Sequence, residues 1–462
     1  MHLVSTDHAS RFVLPVRSRF HTPEIRRFFA CLSVAQRPSD LLMAETVLGR
    51  DSYGIGAMVS FPRYEADSHF SPFTAPSTLL RKYVIPYLCY PYVYFINHEL
   101  LVRPSLRIDY TVTFDTNFAS YVNRFVRGES LKGQKDEIMH VIDDILYHDL
   151  NFDASFYFVE NIKKAYPLAL EITKDETNSP HKFWESLDDS FRQNIVSLEL
   201  FRNFNRQHYL KTRKLKFDIG IKEAISKSVN FTYWFYASAE GQELIRNLLF
   251  QQKAILFQLL VILKVQLSSS GKARKKIKKF LEFMQEEGMY FERKTIVAYK
   301  YFKDRKTVPL LGRVNKGGAQ TGLMEKIDNL AWDMTAPRLM ERMIAVNGPS
   351  DYMVPFFLTF DQTLRELFRC YPVKAVIIDR RSGGVLSIPE LNAGAYFEKE
   401  GCGDMITSFF SEEKQIERFS REVPTLEILS DRINNEYREL NAILSSSAED
   451  STEDTSSFSP YN

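Results

Sequence analysis

Two short apolar, β-prone runs that each end on an aspartate constrain this chain more than anything else in it. Thr111-Val112-Thr113-Phe114 runs into Asp115 and is followed by Thr116, Asn117 and Phe118. Phe356-Phe357-Leu358-Thr359-Phe360 runs into Asp361, and the residues after it, Gln362 to Phe368, carry Leu364, Leu367 and Phe368 on one helical face. The order strand, acid, helix therefore occurs twice. In open α/β sheets the ligand crevice lies outside the carboxyl ends of the strands, so an acid in that position faces the crevice rather than the core. Two such carboxylates in one chain suggest a shared metal site.

The rest of the sequence frames these runs. Residues 1–100 are rich in Tyr, Phe and Pro, with Pro62, Pro72, Pro76, Pro86 and Pro91 breaking any long helix, and they read as an irregular N-terminal extension. Residues 101–170 form the first α/β part: the strand, a helix carrying Phe118, Val122, Phe125 and Val126, a second helix over Lys135 to Leu146, and a third over Ala154 to Ala165 with Glu160 near its middle. Residues 171–320 show little strand signal and read as a mainly helical insertion. Residues 321–395 return to the α/β pattern, with a helix from Met334, the strand that ends on Asp361, and a further strand at Val373 to Ile378 that could complete a parallel sheet. Helices follow over 396–446, notably Glu412 to Arg421 and Thr425 to Leu444, and the Ser-, Glu- and Asp-rich residues 447–462 are expected to be disordered.

With 462 residues, 44% of them hydrophobic, the chain can bury a large core, and 60 Lys plus Arg against 58 Asp plus Glu leave a net charge of +2 that excludes no class of partner. Cys31, Cys89, Cys370 and Cys402 form no paired spacing, which argues against a zinc site or a disulfide framework and fits a reducing cytoplasm. The start shows no signal-peptide pattern, and the most apolar segment, Ala254 to Leu263, is too short to span a bilayer, so no membrane association is expected. Local charge says more. Lys272, Arg274, Lys275, Lys276, Lys278 and Lys279 crowd the start of one helix, where they oppose its dipole. Such runs are usually solvated faces, and an anionic partner such as nucleic acid is the competing explanation.

Four carboxylates stand out by context: Asp115 and Asp361 at strand ends, Glu160 on a helix, and Asp333 where a helix is expected to begin. Magnesium and manganese take oxygen ligands, and clustered carboxylates can hold such ions beside a phosphodiester, where they activate water and neutralise the leaving oxygen. No Ser or His nucleophile is needed. Each motif also has a plainer explanation, because Asp and Asn cap helices and Glu160 could be an ordinary surface residue. Asp136, Asp143, Asp144 and Asp153 compete with Glu160, and Asp109 and Asp328 with Asp115 and Asp333.

On Phe-Asp-Thr-Asn at 114–117, the Tyr157 to Asn161 segment bearing Glu160, Asp333-Met334-Thr335-Ala336, and Leu358-Thr359-Phe360-Asp361, the chain resembles the PIN-like nucleases. The resemblance covers about 101–170 and 325–380 and implies an α/β fold with a PIN-like parallel sheet flanked by helices. It implies Mg2+ or Mn2+ held by Asp115, Glu160, Asp333 and Asp361, with Asn117 orienting Asp115 or a water and Thr359 doing the same beside Asp361. The implied activity is endonucleolytic cleavage of RNA, less often of DNA, and members of the family often act as toxins or defence effectors. The helical insertion departs from a compact PIN domain and weakens the assignment of Glu160 most. Lys275, Lys276, Lys278 and Lys279 are the expected nucleic-acid contacts. A neutralising partner protein and a homo-oligomer stay open. The alternative is an inactive PIN-like module that binds nucleic acid or protein, its acids serving as caps and surface charges, and a third reading is a helical scaffold whose α/β part is incidental.

Overall fold

The structure, a computed structural model, describes residues 22–48, 54–65, 72–74, 82–97, 108–131, 135–174, 179–287, 292–312, 314, 322–345, 352–370, 372–381, 383–391, 393–411, 413, 414, 417, 421 and 424–453. It is mixed α/β, with two sheets and a majority of helix. In chain order the elements begin α1 (Pro23–Val34), α2 (Leu41–Val47), β1 (Ile55–Phe61), β2 (Phe73–Thr74), β3 (Val84–Pro86), β4 (Tyr92–Asn97), β5 (Ile108–Phe114), α3 (Thr116–Val126), α4 (Lys135–His148), β6 (Phe152–Asp153), α5 (Ser155–Glu160) and α6 (Ile162–Ile172). Helices α7 (Pro180–Ser186), α8 (Asp189–Arg202), α9 (Arg206–Thr212), α10 (Ile221–Ala237), α11 (Ala239–Ser268), α12 (Ala273–Glu287), α13 (Glu292–Lys303), α14 (Pro309–Gly312), α15 (Leu323–Asp333) and α16 (Ala336–Ala345) follow, with no strand between them among the described residues. The order closes with β7 (Tyr352–Leu358), α17 (Gln362–Cys370), β8 (Val373–Asp379), β9 (Gly384–Pro389), α18 (Ala393–Lys399), α19 (Gly403–Phe409) and α20 (Leu426–Glu453).

The chain divides into two compact units. The first holds residues 1–248, 337–361 and 373–388, and the second 249–336, 362–372 and 389–462. Both sheets lie in the first, one in the order β2-β4-β1-β8-β9 and the other in the order β3-β7-β5-β6.

The described residues before 100 contribute two α-helices and four strands to this unit. β1 is buried along its whole length and pairs antiparallel with β4 on one side and β8 on the other. Ile55, Ala57, Val59 and Phe61 of β1, Tyr94 and Ile96 of β4, and Ala375 and Ile377 of β8 point to one face, where Phe28 and Leu32 of α1 and Leu41 of α2 complete a core. The alternate residue Gly56 faces the other way. A side chain there would run into the Tyr352 hydroxyl of β7, which donates to the Ile96 carbonyl at 3.4 Å, so the position needs glycine for close approach. A strand covered on both faces shows no polar alternation, and Pro62, Pro86 and Pro91 sit beside strand ends or on the edge strand β3. They punctuate the strands rather than abolish them.

The strand expected at Val373 to Ile378 forms as β8, but it belongs to the first sheet and runs antiparallel to β1, so it does not complete a parallel sheet around β5. The second sheet is mixed: β5 is parallel to β6 and β7, and β3 is antiparallel to β7. Both faces of this sheet are covered by aromatic contacts, Phe357 of β7 against Phe156 of α5 at 4.9 Å on one and Phe152 of β6 against Phe201 of α8 at 5.2 Å on the other. Residues 179–312 are almost entirely helical, as their pattern suggests, yet they split between the units within α11. That helix is 30 residues long and apolar enough, by length and composition, to cross a membrane, and 72% of its most apolar window is buried in the protein. The apolar segment Ala254 to Leu263 lies inside it. α20 continues to Glu453, past the point where disorder was expected; residues 454–462, and most of the helix expected over 412–421, lie outside the described residues.

Candidate active site

Strands β5 and β7 run parallel and in register, Phe114 opposite Leu358, so their carboxyl ends finish side by side. Asp115 is the first residue past β5 and caps α3, its Oδ1 accepting from the Phe118 N–H at 2.9 Å. Its Oδ2 accepts from the Thr359 hydroxyl at 2.6 Å. That same hydroxyl oxygen accepts from the Asp361 N–H at 3.0 Å. One buried threonine thus ties the end of β7 to the end of β5.

Asp115 is 4% exposed, and burial pushes its carboxyl up to about 6. The Thr359 hydroxyl and the Phe118 N–H pull the other way, the charge of Asp361 raises it further, and the Asn117 backbone N–H lowers it. Asp361 is half-buried, so the pair has one inner and one outer member. Thr113, two residues before Asp115 on the same strand, is fully buried, and its hydroxyl has no hydrogen-bond partner. Asn117 reaches Asp115 through that backbone N–H, and its side chain is exposed. Sequence reasoning placed Thr359 beside Asp361; it also bonds Asp115, a contact visible only once β7 lies against β5.

The other expected ligands stand elsewhere. The helix expected to run from Ala154 to Ala165 breaks at Asn161, so Glu160 ends α5 instead of occupying mid-helix. Its Oε2 accepts from the Thr116 N–H at 3.0 Å and from the Thr116 hydroxyl, which ties it to the first turn of α3. Asp333 is the last residue of α15, not the start of a helix, and belongs to the second unit. Among the described residues no three His, Cys, Asp or Glu side chains gather as a metal site. Within the first unit, Asp115 and Asp361 meet at the same strand ends and Glu160 is bound to Thr116, the residue next to Asp115.

The rival acids have other partners. Asp153 ends β6 opposite Thr113; burial raises its carboxyl, and it accepts from the Ser155 N–H at 2.7 Å and the Thr111 hydroxyl at 3.1 Å. Asp109 accepts from Asn151 at 2.8 Å, Asp143 from Tyr209 at 2.5 Å, and Asp328 from Gln252 at 2.8 Å. Asp136 is exposed on α4, and the second Oδ of Asp144 is buried.

The basic run on α12 is not uniformly solvated. Lys276 is 7% exposed, donates to Gln266 at 2.9 Å, and is held below the usual lysine range by burial and by the nearby Arg305 charge. Arg274 pairs with Asp404 at 2.9 Å, whereas Lys275, Lys278 and Lys279 are exposed, Lys278 at 3.7 Å from Glu282. If this helix contacts single-stranded RNA, neutralising Lys275, Lys278 and Lys279 together is expected to flatten the salt dependence of that binding, by about 0.7 in the log–log slope for each phosphate no longer neutralised. Lys276→Gln is expected to leave the slope unchanged. Filter binding across a salt series checks both, and an unchanged slope in the triple variant would make the helix a bystander.

Compared with protein-family models, with curated proteins and with solved structures, the chain matches none.

Proposed function

We propose that the protein is a divalent-metal-dependent phosphodiesterase, most simply an endoribonuclease, with Asp115 and Asp361 as its paired carboxylates. The reading is carried by one observation: two parallel neighbouring strands finish side by side, and one buried hydroxyl past the end of β7 bonds both the Asp115 carboxylate and the Asp361 backbone N–H. The three parallel strands β6, β5 and β7 support the PIN-like arrangement that the motifs suggest. The donor set suits magnesium, which is commonly held by one or two carboxylates and completes its shell with water and substrate phosphate. When bound, such an ion supplies positive charge to a phosphodiester oxygen and an activated water.

The chain's own residues then have distinct tasks. Phe118 N–H, the Asn117 backbone N–H and the Thr359 hydroxyl hold the inner carboxylate in one orientation. The outer carboxylate of Asp361 is the one solvent reaches first. Its backbone N–H, by donating to Thr359, strengthens the hydroxyl's bond to Asp115. Glu160 acts as a positioning residue by fixing Thr116, the first residue of α3, next to Asp115.

Asp115→Asn and Asp361→Asn are each expected to lower magnesium- or manganese-dependent cleavage of single-stranded RNA by more than about a hundredfold while leaving the fold intact. Cleavage assays beside circular dichroism of both variants check this. Equal cleavage in the folded variants would remove the two acids from the chemistry, and no metal-dependent cleavage by the parent would favour the binding module, in which Asp115 serves only as the cap of α3.

A further inference from the structure

We infer that Tyr83, Phe360 and Tyr121 form a stacking platform for an unpaired nucleobase of the strand presented to the carboxylate pair, with Lys82, held over the Tyr83 ring, for the adjoining phosphate. The choice of a nucleic-acid occupant rests on the nuclease reading; the platform itself does not. Phe360 lies in the chain between Thr359 and Asp361, and its ring is 4.6 Å from Tyr83, 6.0 Å from Tyr121 edge-on, and 6.2 Å from Phe118 in a near-parallel stack. Phe118 is fully buried and closes the back, whereas the other three rings are only partly covered.

The platform is tied to the site by backbone as well as by sequence. The Thr359 N–H donates to the Tyr83 carbonyl at 3.0 Å, so Tyr83 is registered against the threonine that bonds Asp115. The Tyr83 hydroxyl bonds Glu137, which fixes the ring. The exposed Lys82 ammonium stands 5.2 Å above the Tyr83 ring centroid. Aromatic faces accept any base, and the neighbouring cation offers the charge that a backbone phosphate needs. Two carboxylates beside such a surface, with no cation on it, would repel a nucleic acid.

The full-length protein is titrated, without divalent ions, with a single-stranded oligoribonucleotide carrying one fluorescent adenine analogue whose emission is quenched on stacking, and with the same oligonucleotide abasic at that position. The base-containing strand is expected to be quenched and to bind roughly tenfold more tightly than the abasic one. Phe360→Leu and Tyr83→Leu are expected to bring the two strands to equal affinity. Equal binding of both strands by the unmodified protein, which requires no substitution to fold, would overturn the platform, as would variants that bind and quench like the parent. Base-dependent binding without metal-dependent cleavage leaves the platform standing and removes the nuclease reading. Cleavage with base-independent binding does the reverse.

Discussion

Replacing Asp115 by asparagine is expected to stabilise the first unit at neutral pH, by an amount on the order of 3 kcal/mol at most. The carboxyl sits at about 6 in the folded protein against an ordinary 3.8, and burial is the main cause. Between these two values the folded state binds the proton that the unfolded state has released, so stability falls as pH rises through this window, and the loss is complete above about 6. Asparagine cannot ionise. Its carbonyl oxygen still accepts from the Phe118 N–H, and its amide can donate to Thr359, whose hydroxyl also serves as an acceptor. The gain over the parent should therefore be near zero below about pH 4 and level off above about pH 6. Urea denaturation over a pH series measures it. As a helix cap alone, Asp and Asn are close to equivalent, so a flat, near-zero difference would mean that burial and the Asp361 charge cost the carboxylate nothing. Gained stability together with lost cleavage would show a carboxylate maintained for chemistry at the expense of the fold.

Thr359→Val tests the bridge between the strands. Thr359 is fully buried, and valine has nearly its shape, so no cavity opens. What disappears is the hydroxyl that donates to Asp115 at 2.6 Å and accepts from the Asp361 N–H at 3.0 Å. A hydrogen bond to a charged group, with the partner left buried, makes the expected loss about 2 to 3 kcal/mol at neutral pH. The hydroxyl favours the ionised form, so without it the Asp115 carboxyl should titrate above about 6, and the pH window in which stability falls should extend upward. In the Asp115→Asn background the same substitution should cost clearly less. A double-mutant cycle reads that coupling directly, and additivity within a few tenths of a kcal/mol would mean that the contact carries no energy.

Parts of this site were legible in the residues. Two apolar runs ending on acids mark two strand ends, and Asp115 followed by Phe118 and Val122 marks the start of an amphipathic helix, α3. The helical spacing over 179–312 likewise emerges as helix, because a repeat of 3.6 residues is written locally. Other features were not legible. Lys276 sits in a run of cations yet turns inward to Gln266, since the helical face and not the run decides burial. Asp333 ends α15 because Leu330, Ala331 and Trp332 continue that helix's buried face up to it.

The sequence by itself determined where strands and helices lie around Asp115 and Asp361, since those depend on side-chain period and on residues that cap or break an element. Tertiary structure alone decided that β7 lies against β5 while β8 leaves for another sheet, that Thr359 reaches Asp115, and that Glu160 turns to Thr116. Pairing energy comes from residues hundreds of positions apart, and a strand buried on both faces carries no local mark of which neighbour it will take.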